Sequence, residues 1–140
     1  MKASALALTF SAIAMLGQSA LVAADEWPKL SDGKWQVMER RDNERSVTTE
    51  CINPIEKLRQ AVAALDQAGC KRAALKRSGS TYRFDVSCER EDNEGRPVQM
   101  TGTFKLTVRG RESFQMEQNS KSGGVQRNVR ADGKRLGSCE

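Results

Sequence analysis

Apolar and polar residues alternate along most of the chain beyond residue 30, the period of half-buried β-strands. The clearest run is Thr81 to Cys88: Tyr82, Phe84, Val86 and Cys88 share one face, and Arg83, Asp85 and Ser87 share the other. Val98, Met100, Phe104, Leu106 and Val108 then alternate with Gln99, Thr101, Thr103, Lys105 and Thr107. Gly102 takes an inward slot in that run, leaving room for a bulky neighbour or a bend. Phe114 and Met116 continue the pattern, and Val125, Val129 and Ala131 repeat it more weakly around an inward Arg127. Shorter runs are marked by Trp35 and Val37, by Val47, Thr49 and Cys51, and by Ala73 and Leu75. Turn-forming clusters separate the runs at Ser78-Gly79-Ser80, Asp92-Asn93-Glu94-Gly95, Arg109-Gly110-Arg111 and Ser122-Gly123-Gly124. Such short connections require antiparallel neighbours, and clean alternation means one packed face and one wet face.

One segment departs from period two. Asn53-Pro54-Ile55-Glu56 reads as an N-cap, a Pro at the first helical position and a Glu reaching back in a capping box. Ile55, Leu58, Val62 and Leu65 recur at spacings of three and four, the apolar stripe of an amphipathic helix, and Gly69 closes it. The predicted fold is α+β but mostly β. It is an antiparallel meander of about six to seven strands, curved or partly closed, with one covering helix.

The first 24 residues have a different character. Lys2 precedes the apolar stretch Leu6 to Leu16, Gly17-Gln18-Ser19 breaks it, and Val22-Ala23-Ala24 offers residues suited to cleavage before the polar Asp25-Glu26. Residues 1–24 read as a secretory signal peptide, too short in its apolar part for the ~20 residues of a membrane span. Residues 25–140 then form one disulfide-stabilised domain, with no membrane span after cleavage, exported by the Sec route to the periplasm or beyond.

Export changes how the cysteines are read. Cys51, Cys70, Cys88 and Cys139 are an even set in a small secreted domain, without the close C-x2–4-C spacing of a zinc site, so two disulfides are expected. The preferred pairing is 51–70 with 88–139; 51–88 with 70–139 and 51–139 with 70–88 stay open, because spacing does not choose among them. The chain has no histidine. That removes Ser-His-Asp and Cys-His nucleophile systems, His-ligated metals and imidazole acid–base chemistry. The acidic residues are scattered among basic ones, none interrupting an apolar segment as a raised-pKa acid would. No enzyme, no cofactor and no metal site are expected.

Without Lys2 the chain carries 22 basic and 18 acidic residues, a mild positive bias that favours anionic partners. Nucleic acid is not among them, since export removes the chain from it and no recognition motif appears. The candidate anionic-partner surface is Arg127, Arg130, Lys134 and Arg135, with Arg40, Arg41 and Arg45 as a second cluster.

An ordered set of features resembles a known family. Gly33-Lys34-Trp35 comes first, followed by Cys51 leading into a Pro-started helix that ends at Gly69-Cys70. Ser78-Gly79-Ser80-Thr81-Tyr82 running to Cys88, Met100-Thr101-Gly102-Thr103 and Gly133-Lys134-Arg135-Leu136-Gly137-Ser138-Cys139 complete it. The chain resembles small exported proteins of Gram-negative bacteria grouped as domain of unknown function 3617. The resemblance implies a periplasmic address and a β-rich, disulfide-bonded fold, and no established activity. Relatives often carry a Met- and Pro-rich stretch after the Trp strand. Here stands Arg40-Arg41-Asp42-Asn43-Glu44-Arg45, which gives no support to soft-metal capture.

The expected function is a non-enzymatic, monomeric binding module of the cell envelope, acting on an anionic component or protein. One alternative is a carrier of a small apolar ligand in a lipocalin-like barrel, since Gly33-Lys34-Trp35 echoes the opening of such barrels. Its inward set would be Trp35, Tyr82, Phe84, Met100, Phe104, Phe114 and Met116. A second alternative is a periplasmic enzyme inhibitor, although a basic lysozyme would be repelled by a net-positive chain.

Overall fold

The computed structural model describes residues 26–140; the expected leader lies outside the described residues. β1 (Gly33–Arg41) and β2 (Glu44–Ile52) form a hairpin, and α1 (Pro54–Gln67) follows. The short strands β3 (Lys71–Arg72) and β4 (Lys76–Ser78) lead into a meander of β5 (Thr81–Glu91), β6 (Pro97–Arg109), β7 (Ser113–Ser122) and β8 (Val125–Gly137). All pairings are antiparallel, in the order β2-β1-β8-β7-β6-β5-β3, with β4 also on β5. The two edges do not pair with each other, so the sheet is open rather than partly closed, and the barrel form of the carrier expectation is not built. The strands number eight instead of six to seven. The single strand expected around Ala73 and Leu75 is two short strands flanking those residues, because Leu75 leaves the ladder to pack against the core.

Alternation sorts the two faces as expected in the meander. Tyr82, Phe84, Phe104, Leu106 and Ala131 are buried on the helix-facing side, with Val86, Val108, Phe114 and Met116 partly buried beside them. Phe84 stacks on its cross-strand partner Phe104 at 4.9 Å, and Trp27 meets the Phe84 ring edge-on at 6.2 Å. Trp35 is 0% exposed; its indole Nε1 donates to the Ser31 carbonyl at 3.0 Å and its ring lies 5.6 Å from Phe114. Gly133, opposite Phe114 on β8, is required there, because a Cβ would fall on the Phe114 ring. β2 forms where Val47, Thr49 and Cys51 mark a strand, but it turns those residues outward. The unbulged register of the β1–β2 hairpin pairs Val47 with Met38 and Thr49 with Gln36, so the run Val47, Thr49, Cys51 faces away from the helix and Val47 is 52% exposed.

The helix begins and ends where the residues dictate. The Asn53 side chain accepts from the backbone N–H groups of Ile55 and Glu56 at 3.0 and 3.1 Å. The reciprocal half of the expected capping box is absent: Glu56 turns instead to Gln60 and Arg59 along the helix. At the other end Gly69 adopts φ 80, its N–H donates to the Asp66 carbonyl, and the Cys70 N–H reaches back to Leu65, the two bonds of a Schellman cap. Ile55 and Val62 are buried against the sheet and Leu58 is partly buried there, as the apolar stripe requires.

The helix also carries the chain from one edge of the sheet to the other. It leaves β2 at one edge and delivers the chain to β3, beside β5, at the opposite edge. Five strand spacings separate β2 from β5, about 24 Å at ~4.8 Å each. Fourteen helical residues supply about 21 Å of that width. Cys51 and Cys70 at its two ends are therefore far beyond the ~7 Å Cα separation a disulfide tolerates, and the preferred 51–70 and 88–139 pairing does not form. Cys51 bonds Cys139, just past the end of β8, and Cys70 bonds Cys88 on β5, with Cα separations of 5.8 and 4.3 Å. Each bridge fastens one end of the crossing helix to the sheet.

Peptide mapping without reduction should recover Cys51 linked to Cys139 and Cys70 linked to Cys88, and no 51–70 peptide. The bridges close sequence separations of 88 and 18 residues. Chain entropy then assigns about 4–5 kcal/mol to the first and about 3 kcal/mol to the second. Urea unfolding of the two double-Ala variants should show the 51–139 variant as the weaker.

Candidate anionic-partner interface

Strand register decides which surface charges meet. On the face away from the helix, Arg45 on β2 lies opposite Arg40 on β1, and Arg40 opposite Arg130 on β8. Arg130 lies opposite Glu117 on β7, Glu117 opposite Lys105 on β6, Lys105 opposite Arg83 on β5, and Arg83 opposite Lys76 on β4. These seven positions form one row across the sheet, six cations and one carboxylate, a formal +5 that equals the charge of the whole 140-residue chain. The remaining charges sum to zero, so the basic bias of the chain is concentrated in this line.

Glu117 holds the middle of the row. Its Oε1 accepts from Arg130 at 2.7 Å and its Oε2 lies 3.9 Å from the Lys105 ammonium. Arg83 is paired at 3.5 Å with Asp85, one row over. Arg40, Arg45 and Lys76 make no ion pair among the described residues, and the row as a whole is exposed apart from the half-buried Glu117. The Thr103 hydroxyl donates to Asp85 at 2.8 Å and, with Arg83 beside it, holds that carboxyl below the usual Asp range. Asp85 thus keeps its charge to a lower pH than an ordinary Asp.

The neighbouring row is Asn128, Asn119, Thr103 and Asp85, paired in that order across β8, β7, β6 and β5. Two shallow depressions run along it, of about 450 Å³ beside Arg40 and Arg130 and about 420 Å³ beside Arg83, and they meet at Asn119. The result is a groove with Asn128, Asn119 and Thr103 on its floor and Arg40, Arg130 and Arg83 along one wall, with the carboxylates of Asp42, Glu117 and Asp85 also among its lining residues.

Of the seven cations singled out in the sequence, three belong to the row: Arg40, Arg45 and Arg130. Arg41 is on the helix-facing side of β1, bonded to Glu39 at 3.0 Å, and Arg127 is on the same side of β8, opposite Ser120. Lys134 is exposed on the outer face opposite Gln36 and Ser113. Arg135 is only 21% exposed and is held internally, its Nε donating to the Asp32 carbonyl at 2.8 Å and its Nη1 lying 3.5 Å from Glu112. Lys76, Arg83 and Lys105 were missed, since strand alternation marks them as outward but only register aligns them.

The helix-facing side holds a second feature. Where α1 leaves β1 and β2 incompletely covered, a cleft of about 390 Å³ is lined by Val37, Ile52, Leu58, Leu106, Phe114 and Met116. Lys57 on the helix and Glu50 on β2 form an ion pair at 2.5 Å among its lining residues. Among the described residues no group of three His, Cys, Asp or Glu side chains is arranged to hold a metal ion.

Replacing Glu117 with Gln should lower stability by about 0.5–1 kcal/mol, as expected for exposed pairs, by leaving Arg130 and Lys105 repelling each other across β7. The deficit should shrink between low and high salt as screening removes the repulsion. Urea unfolding at the two ionic strengths measures it, and a salt-independent deficit would refute the electrostatic account of the row.

No curated protein matches the chain. The model of the family described as Protein of unknown function (DUF3617) matches residues 30–139, from the segment that leads into β1 to the last cysteine, and the chain belongs to that family.

Proposed function

We propose that the protein is an exported, non-enzymatic binding module of the cell envelope, monomeric, whose outer sheet face engages an anionic partner. The observation that carries this reading is the register-aligned row from Arg45 to Lys76. Four of its six cross-strand contacts set like charges opposite each other, an arrangement unfavourable in the free protein. An anionic partner would relieve it. The leader-like residues 1–24, the two disulfides and the absence of histidine fit a periplasmic binding protein better than an intracellular catalyst.

The test separates the row from net charge. Reversing Arg40, Lys105 and Arg130 to Glu should abolish retention on anionic vesicles or an anionic resin at low salt. Reversing Lys29, Arg59 and Arg111, exposed cations off the row, changes net charge equally and should leave most of the retention. Wild-type retention should fall steeply with salt. Equal loss in both variants would reduce the effect to net charge and sink the reading.

The helix–sheet cleft favours a second reading, a carrier of a small apolar ligand. Its volume of about 390 Å³ falls at the lower end of ligand sites, roughly 300–1,000 Å³. Native mass spectrometry of protein taken from its own envelope should then show a bound adduct, and Leu58→Trp should exclude it. An apo mass from the wild type would remove this reading while leaving the first intact.

A further inference from the structure

We infer that the groove beside the cationic row binds one extended strand of an acidic polysaccharide lying across the β-strands. This rests on the anionic-partner reading above and specifies the partner. Three observations select a strand over a flat surface. The cations are in single file: the row on one side is Met38, Asp132, Gln115 and Thr107, and on the other Asn128, Asn119, Thr103 and Asp85, so neither adjacent row carries a cation and positive charge there follows a line. The two depressions continue one another through Asn119 parallel to that line. Asn119, Asn128 and Thr103 present carboxamide and hydroxyl groups, which pair with sugar hydroxyls, and Arg40, Arg130 and Arg83 present guanidinium groups, which pair with anions; Asp42, Glu117 and Asp85 also line the depressions, so the acidic groups of the ligand are confined to the guanidinium positions. A bare polyphosphate would use only the wall. A bilayer would meet the tips of the cations and leave the floor unused.

The row spans six strand spacings, about 29 Å at ~4.8 Å each. Affinity should therefore rise with the length of a polyuronate until the chain covers the row, then level off. Oligogalacturonates of graded length, titrated at low salt against the full disulfide-bonded protein, provide the probe. Arg40→Gln, Arg83→Gln and Arg130→Gln should each weaken the longest oligomer about threefold, in keeping with the modest worth of single exposed ionic contacts. Asn119→Ala keeps every charge and is exposed, so the fold should persist, as thermal unfolding would verify. It should weaken oligogalacturonate about threefold and leave polyphosphate and anionic vesicles unaffected.

The outcomes are distinct. A length plateau together with an Asn119→Ala effect confined to the uronate supports the inference. Binding of polyphosphate as tight as that of uronate, with Asn119→Ala silent, overturns it. Strong vesicle binding without oligogalacturonate binding also overturns it and leaves the anionic-partner reading standing. Failure of every anionic probe at low salt overturns both.

Discussion

The crossing of α1 from the β2 edge to the β5 edge is the constraint on which the rest of the molecule depends. The meander β5 to β8 grows inward from one edge until β8 meets β1, and the β1–β2 hairpin forms the other edge. A chain that has just finished β2 must therefore traverse the full sheet before the meander can start. An amphipathic helix of fourteen residues makes that traverse and covers the apolar face in the same step. The buried faces of Trp35, Tyr82, Phe84, Phe104 and Leu106 need that cover, and Ile55 and Val62 provide it. The disulfides act at the two points where the helix could lift away. Cys51–Cys139 fastens its start together with the end of the last strand, and Cys70–Cys88 fastens its finish to β5. Because one helix laid across the strands cannot cover their full length, the cleft over β1 and β2 follows from the same geometry.

Local features were legible in the sequence because local forces decide them. The Asn53 cap, the Ile55–Leu58–Val62 stripe and the Gly69 stop depend on residues within one or two turns. The meander faces depend only on alternation between turns. What alternation could not supply was the partner of each strand. The 51–70 bridge was preferred because Cys51 and Cys70 flank a helix, whereas the distance between them is set by the intervening strands. Which face of β2 packs is not legible from its run for a related reason: its register is inherited from the Asp42–Asn43 turn, and one residue of slip reverses every side chain. The Arg135 assignment failed on tertiary contact, since nothing in Gly133-Lys134-Arg135 signals that this guanidinium reaches the Asp32 carbonyl.

Part of the row was nevertheless within reach. Two-residue connections fix register, so Arg41 opposite Glu44 implies Arg40 opposite Arg45, and Ser122 opposite Val125 implies Glu117 opposite Arg130. Extending the count through the Gly110 turn places Lys105 opposite Glu117. The pairing of β1 with β8, which joins Arg40 to Arg130 and turns separate clusters into one line, is the long-range contact that no turn dictates.

Energetics give this line no stabilising role beyond its centre. Opposed unit charges about 5 Å apart interact by roughly 0.8 kcal/mol at the dielectric constant of water, and salt reduces that further. A sheet shaped only for stability would alternate sign along the row, as Glu117 does between Arg130 and Lys105. On either side of that centre the pattern stops alternating: Arg40 faces cations on both flanking strands, and Arg83 does the same between Lys105 and Lys76. The repulsion is small enough for a disulfide-fastened sheet to bear. It also adds along the row, so an anion spanning several positions gains from all of them, whereas one meeting a single cation gains little. The anionic partner proposed for the outer face would on these terms be one that carries several negative charges along a line.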